Sequence, residues 1–135
     1  MSIVLDTGFV VALARRDDEH HLLACDWLAA TDEDLVTTPL ALAEMDHIVR
    51  RGGEEAARLL WDDFESGAYG VRWWAEGLTE MLRVARRHPF LGLTDASLVA
   101  LAGLLRTDRI ATFDQNFRSV PTPDGEAFVV LPADR

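Results

Sequence analysis

Four acids in the sequence stand where they could share one task. Asp6 follows the apolar run Ile3-Val4-Leu5, and Asp114 follows Ile110-Ala111-Thr112-Phe113; both runs have the composition of buried strands. Glu44 falls about one and a half turns into a helix that Pro39 opens, and Asp95 lies in the first turn of a helix that Thr94 is placed to cap. Carboxylates crowded together cannot all stay ionised unless a cation compensates them. Their oxygens are the ligands Mg²⁺ or Mn²⁺ prefers, and magnesium commonly completes its shell with water and substrate phosphate. That arrangement suits metal-assisted phosphodiester hydrolysis. Each acid also has a plainer reading. Among 23 acids, Asp95 could be only a favourable charge at a helix start, and Asp6 only the beginning of a turn.

Convergence of the four depends on the elements that carry them. Residues 3–5 predict a first strand, and residues 7–15 a helix with Phe9, Val10, Ala12 and Leu13 at helical spacing. The acids 17–19 suit the first turn of a second helix, which would bury Leu22, Leu23, Cys25, Leu28 and Trp27. Residues 35–38 read as a second strand and 40–51 as a helix ended by Gly52-Gly53. A further helix over 54–65 would turn Leu59, Leu60 and Phe64 inward. Residues 69–73 form a third predicted strand, 76–87 a helix halted before Pro89, and 94–105 a helix burying Leu98, Val99, Leu101, Ala102 and Leu105. Strands over 109–113 and 128–131 complete the pattern. Strands alternating with helices mean an α/β domain whose central parallel sheet has four or five strands flanked by helices. No linker divides the chain, so residues 1–135 are expected to form one domain. Such sheets bind ligands beyond the carboxyl ends of their strands, where Asp6 and Asp114 would stand.

Composition narrows the function from another side. The net charge is −10, and all 13 basic residues are arginine. Without lysine there is no Walker-type phosphate loop, Schiff base or lysine general base. The acidity argues against a general grip on nucleic acid through phosphate neutralisation, unless the acids bind cations that invert the local field. No apolar run is long enough to span a bilayer, and the N-terminus has no basic leader. The single cysteine, Cys25, cannot form an internal disulfide. These features lead us to expect a cytoplasmic protein with no membrane association.

The order Ile3-Val4-Leu5-Asp6-Thr7, Ala43-Glu44, Leu93-Thr94-Asp95-Ala96 and Ala111-Thr112-Phe113-Asp114-Gln115-Asn116-Phe117 resembles the signature of a PIN domain. Within that family it is most similar to the VapC toxins of prokaryotic toxin–antitoxin pairs, over Ser2 to about Pro132. The resemblance implies an endoribonuclease dependent on Mg²⁺ or Mn²⁺, with Asp6, Glu44, Asp95 and Asp114 as its metal-binding acids. Thr7 and Thr112 match hydroxyl residues that orient such carboxylates. Asn116 stands where many relatives carry an aspartate, which points to a weakly held or substrate-dependent second ion. Gly8 replaces a more usual serine or alanine. The resemblance further implies cleavage of one structured transfer or ribosomal RNA to 5′-phosphate and 3′-hydroxyl ends. It also implies a homodimer and a cognate antitoxin that blocks the site.

Other residues carry less. His20 and His21 are adjacent and point to different sides of a helix, so a surface role is expected for each. His47 is three residues from Glu44 and could share its face, whereas Asp46 falls off it. One of Trp73 and Trp74 is expected in the core. Arg50-Arg51 suits a helix dipole or an RNA phosphate equally. The rival from another class is a regulatory binding module of the same fold with weak turnover, which Asn116 keeps open. A haloacid-dehalogenase phosphatase would need an acid where Gly8 stands and a lysine, and a response-regulator receiver also lacks its lysine.

Overall fold

Ile3, Val4 and Leu5 are each 0% exposed. Successive strand residues face opposite sides, so strand β1 (Ser2–Leu5) is covered on both faces. The computed structural model describes residues 1–134, and Arg135, the last residue of the expected domain, lies outside the described residues. From β1 the chain runs through α1 (Thr7–Ala14), α2 (His21–Ala30), β2 (Asp34–Thr37), α3 (Pro39–Val49), α4 (Glu54–Glu65) and β3 (Gly70–Val71). It continues through α5 (Gly77–Arg87), α6 (Gly92–Leu105), β4 (Arg109–Ala111) and β5 (Val129–Leu131). Single 3₁₀ turns occupy Arg50–Gly52, Pro89–Leu91 and Gln115–Ser119.

The five strands form one sheet in the order β3-β2-β1-β4-β5, and every pairing is parallel. The α/β class and the sheet flanked by helices are as the sequence led us to expect. The order reverses direction between β1 and β4, which pair Val4 with Ile110 and Leu5 with Ala111. In open α/β sheets that reversal opens a crevice beyond the strand ends. No single helix among the described residues is long and apolar enough to cross a membrane.

Several local expectations need correction. Helix α2 starts at His21, and the acids before it make a turn in which the Asp18 side chain accepts from the His20 N–H at 2.8 Å. It buries Ala24 and Trp27 but leaves Leu22 75% and Leu23 46% exposed. Its sequence is apolar almost all round, so periodicity could not choose the inward face. Leu59 on α4 is exposed while Ala57 and Leu60 are buried. The second strand ends at Thr37, and Thr38 caps α3 by accepting from the Ala41 N–H at 3.3 Å. The third strand shrinks to two residues at the sheet edge. Helix α6 begins at Gly92, so Thr94 lies within its first turn and does not cap it. Gly92, at φ 77°, makes the turn out of Pro89–Leu91 that only glycine adopts easily.

Gly103 lets the loop around Pro123 lie on α6: a Cβ there would stand 2.6 Å from Pro123 Cγ. That loop is tied by bonds between Thr122 and Glu126 and between Gly125 and Thr122, each 2.8 Å, and must move as a unit. Gly103→Ala is therefore expected to destabilise the fold by about 1–3 kcal/mol through overpacking, read as a lower melting temperature.

Candidate active site

Asp6 is held from two sides. Its Oδ1 accepts from the Thr7 N–H at 2.8 Å, capping α1, and its Oδ2 accepts from the Thr112 hydroxyl at 2.6 Å. The same Thr112 oxygen accepts from the Asp114 N–H at 2.9 Å. One hydroxyl thus orders the carboxylate after β1 and the backbone after β4. Asp114 in turn caps the Gln115–Ser119 turn, its Oδ1 accepting from the Asn116 N–H at 2.8 Å. Thr7 Oγ1 reaches toward the Ala41 carbonyl of α3 at 3.5 Å, a contact too long to count for much.

Asp6, Glu44, Asp95 and Asp114 all line one open cleft of about 680 Å³. Each comes from a different element: the end of β1, the middle of α3, the first turn of α6 and the segment after β4. Thr7, Gly8, Phe113 and Gln115 also line it, with an apolar wall of Ile48, Leu91 and Leu93. No arginine or histidine is among the lining residues. Burial, supported by the nearby charges of Asp114 and Glu44, pushes the Asp6 carboxyl up to about 6 against the pull of its hydrogen bonds. Burial, then the charges of Asp6, Asp114 and Glu44, pushes Asp95 up to about 7. Four acids without a counter-charge are what a hard divalent cation would relieve. As these side chains are oriented, no three His, Cys, Asp or Glu groups among the described residues stand close enough to enclose an ion. The donor set fits a cation that takes few protein oxygens and completes its shell from water and phosphate.

A PIN domain model matches residues 3–123. The chain belongs to the PIN-domain family. This PIN domain is 26% identical to ribonuclease VapC26 of Mycobacterium tuberculosis, over 96% of its own length and all of that protein. Its fold is similar to that of M. tuberculosis VapC20, described as a sarcin–ricin loop cleaving toxin. That match has a TM-score of 0.80 and 23% identity, covering 87% of this chain and 93% of the other. VapBC2 from Rickettsia felis, solved bound to a fragment of its promoter DNA, matches at a TM-score of 0.69 and 15% identity, over 96% and 97% of the two chains.

Of the residues expected to orient the acids, Thr112 touches Asp6 through its hydroxyl, whereas Thr7 and Asn116 reach Asp6 and Asp114 only through their backbone N–H groups, and Asn116 is exposed and is not a lining residue of the PIN cleft. His47 is exposed, and Asp46 is turned away, accepting from Trp61 Nε1 at 2.7 Å and pairing with Arg50. Sequence reasoning missed Phe113, whose ring stacks on buried Phe9 at 5.5 Å and under His20 at 4.1 Å. It also missed Ile48, although Ile48 follows Glu44 by four residues and shares its helix face.

The raised carboxyls make a stability prediction for the metal-free PIN domain. Asp6 and Asp95 bind protons more tightly folded than unfolded. Their contribution is therefore full below pH 3.8 and is lost as pH rises through about 6 and 7. Melting in EDTA is expected to show this contribution falling between pH 5 and 8, with Mn²⁺ raising the melting temperature more at pH 8 than at pH 5. Equal metal-induced gains at both pH values would contradict it.

Proposed function

We propose that this PIN domain is a metal-dependent endoribonuclease, the toxin of a toxin–antitoxin pair. The observation that carries the reading is the cleft in which Asp6, Glu44, Asp95 and Asp114 meet with no basic side chain among its lining residues. These four acids would hold Mg²⁺ or Mn²⁺. When bound, the cation supplies water activation and offsets charge on the scissile phosphate. The chain's own part is positioning. Thr7 and Thr112 fix both oxygens of Asp6, and Asp114 is braced by its turn. The first turns of α1 and α6 border the cleft through Thr7, Gly8 and Gly92–Asp95, so their dipoles favour an anionic RNA phosphate there.

The likeness to VapC20 supports a structured ribosomal or transfer RNA site as the substrate, and a −10 surface would repel RNA in bulk. The VapBC2 likeness supports a cognate antitoxin, for which a basic, partly disordered segment is the natural complement. Exposed Leu22, Leu23, Phe90 and Leu93 offer apolar surface for the antitoxin or for a homodimer. We place the protein in the cytoplasm, where such RNA is found.

The acids' failure to close into a cage, with Asn116 outside the cleft, favours one second reading: a regulatory binding module with weak turnover. Mapping cuts in total cellular RNA by end sequencing, with Mg²⁺ or Mn²⁺ and again with EDTA, separates them. Discrete cuts that vanish with EDTA are expected. Folded, antitoxin-free protein that binds Mn²⁺ and cuts nothing would make it the module.

A further inference from the structure

Buried hydroxyls hold the carbonyls beside two of the acids without lining the cleft. Thr37 Oγ1 donates to the carbonyl of Leu5, the residue before Asp6, at 2.8 Å. The adjacent Thr38 has its Oγ1 2.8 Å from Ser97 Oγ. Ser97 Oγ donates to the carbonyl of Thr94, the residue before Asp95, at 2.6 Å. A hydroxyl has one hydrogen, so the Thr38 hydroxyl is the donor to Ser97. The same oxygen caps α3, the helix of Glu44, by accepting from the Ala41 N–H. Thr37, Thr38 and Ser97 are all 0% exposed.

A threonine cap and a serine bonded back along its own helix are ordinary devices. The side-chain bond between them, across 59 positions, is not required by either, and small apolar residues could fill the same space. What that bond adds is a fixed distance between the start of α3 and the start of α6. The Thr37 bond extends the constraint to the end of β1. Like charges at Asp6 and Asp95 push these elements apart, and a misplacement of about 1 Å in such a site is costly.

Resting on the reading of this cleft as a cation site, we propose that Thr37, Thr38 and Ser97 are positioning residues that hold Asp6 and Asp95 at the separation the cation needs. The test is Mn²⁺ affinity, read by electron paramagnetic resonance of free Mn²⁺, with melting in EDTA alongside. Ser97→Ala and Thr38→Val are expected to weaken Mn²⁺ binding about 10-fold, and Thr38→Ser to keep it. Gly103→Ala, which strains the same helix at Pro123, is the control: it lowers the melting temperature and leaves the affinity unchanged. Should Thr38→Val fail to fold, Ser97→Ala decides. Affinity within about twofold of wild type in Ser97→Ala, or an equal loss in Gly103→Ala, would overturn the proposal. Mn²⁺ binding that weakens in Ser97→Ala, in a protein that cuts no RNA, upholds the proposal and sinks the ribonuclease reading. One that binds no Mn²⁺ sinks this proposal directly.

Discussion

Asp95→Asn is expected to lower RNA cleavage by about 100-fold or more while raising the melting temperature of the metal-free protein at pH 8. Both effects come from one charge. Asp95 is pushed up to about 7, first by burial and then by Asp6, Asp114 and Glu44, so at pH 8 the folded protein carries an anion its surroundings disfavour. Asparagine keeps the shape without the charge, and a gain of a few degrees is the expected scale. At pH 5 the gap should be smaller, and it should close only below pH 3.8, where Asp95 is protonated folded and unfolded alike. The charge is also what a divalent cation would bind, and losing one carboxylate ligand removes affinity and turnover together. Melts at both pH values in EDTA, with cleavage in Mn²⁺, check each half. A variant that cuts like wild type, or melts lower at pH 8, would remove Asp95 from the site.

Thr112→Val is expected to reduce cleavage by about 10–100-fold in a way that alkali partly repairs. The Thr112 hydroxyl donates to Asp6 and accepts from the Asp114 N–H, and the first of these bonds holds the Asp6 carboxyl below where burial alone would put it. Without the bond Asp6 rises above about 6, and more of it is protonated at neutral pH. The acidic limb of the pH–rate profile should therefore move to higher pH, whereas Thr112→Ser should leave it in place. An unshifted limb in the valine variant would mean that Thr112 acts on packing alone.

The elements that carry the acids were legible because strand ends and helix starts announce themselves locally. Ile3-Val4-Leu5 is apolar without alternation, Pro39 opens α3, and the acid after each strand follows directly. Asp95 was placed correctly in a first turn even though its supposed cap, Thr94, is inside the helix. Less could be read where the sequence offered two faces. Leu22 and Leu23 lost the inward side of α2 to Ala24 and Trp27, and Trp27 there meets the ring of Phe9 edge-on at 5.2 Å, a contact distant in sequence. The bond between Thr38 and Ser97 was not legible at all, since nothing local to either residue points to the other.

The strand order also decides when the cleft can exist in a chain still being made. β1 is made before the other four strands and lies at the middle of the sheet, yet its neighbour on one side, β4, follows β2 and β3 in the chain. The bond from Thr112 to Asp6 closes a loop of 106 positions. A nascent chain can pair β1 with β2 and β3 early, with Glu44 already on α3, and still lack Asp95 and Asp114. The four acids therefore cannot meet until the chain has been made through β4, and a chain cut short ahead of β4 has no complete centre.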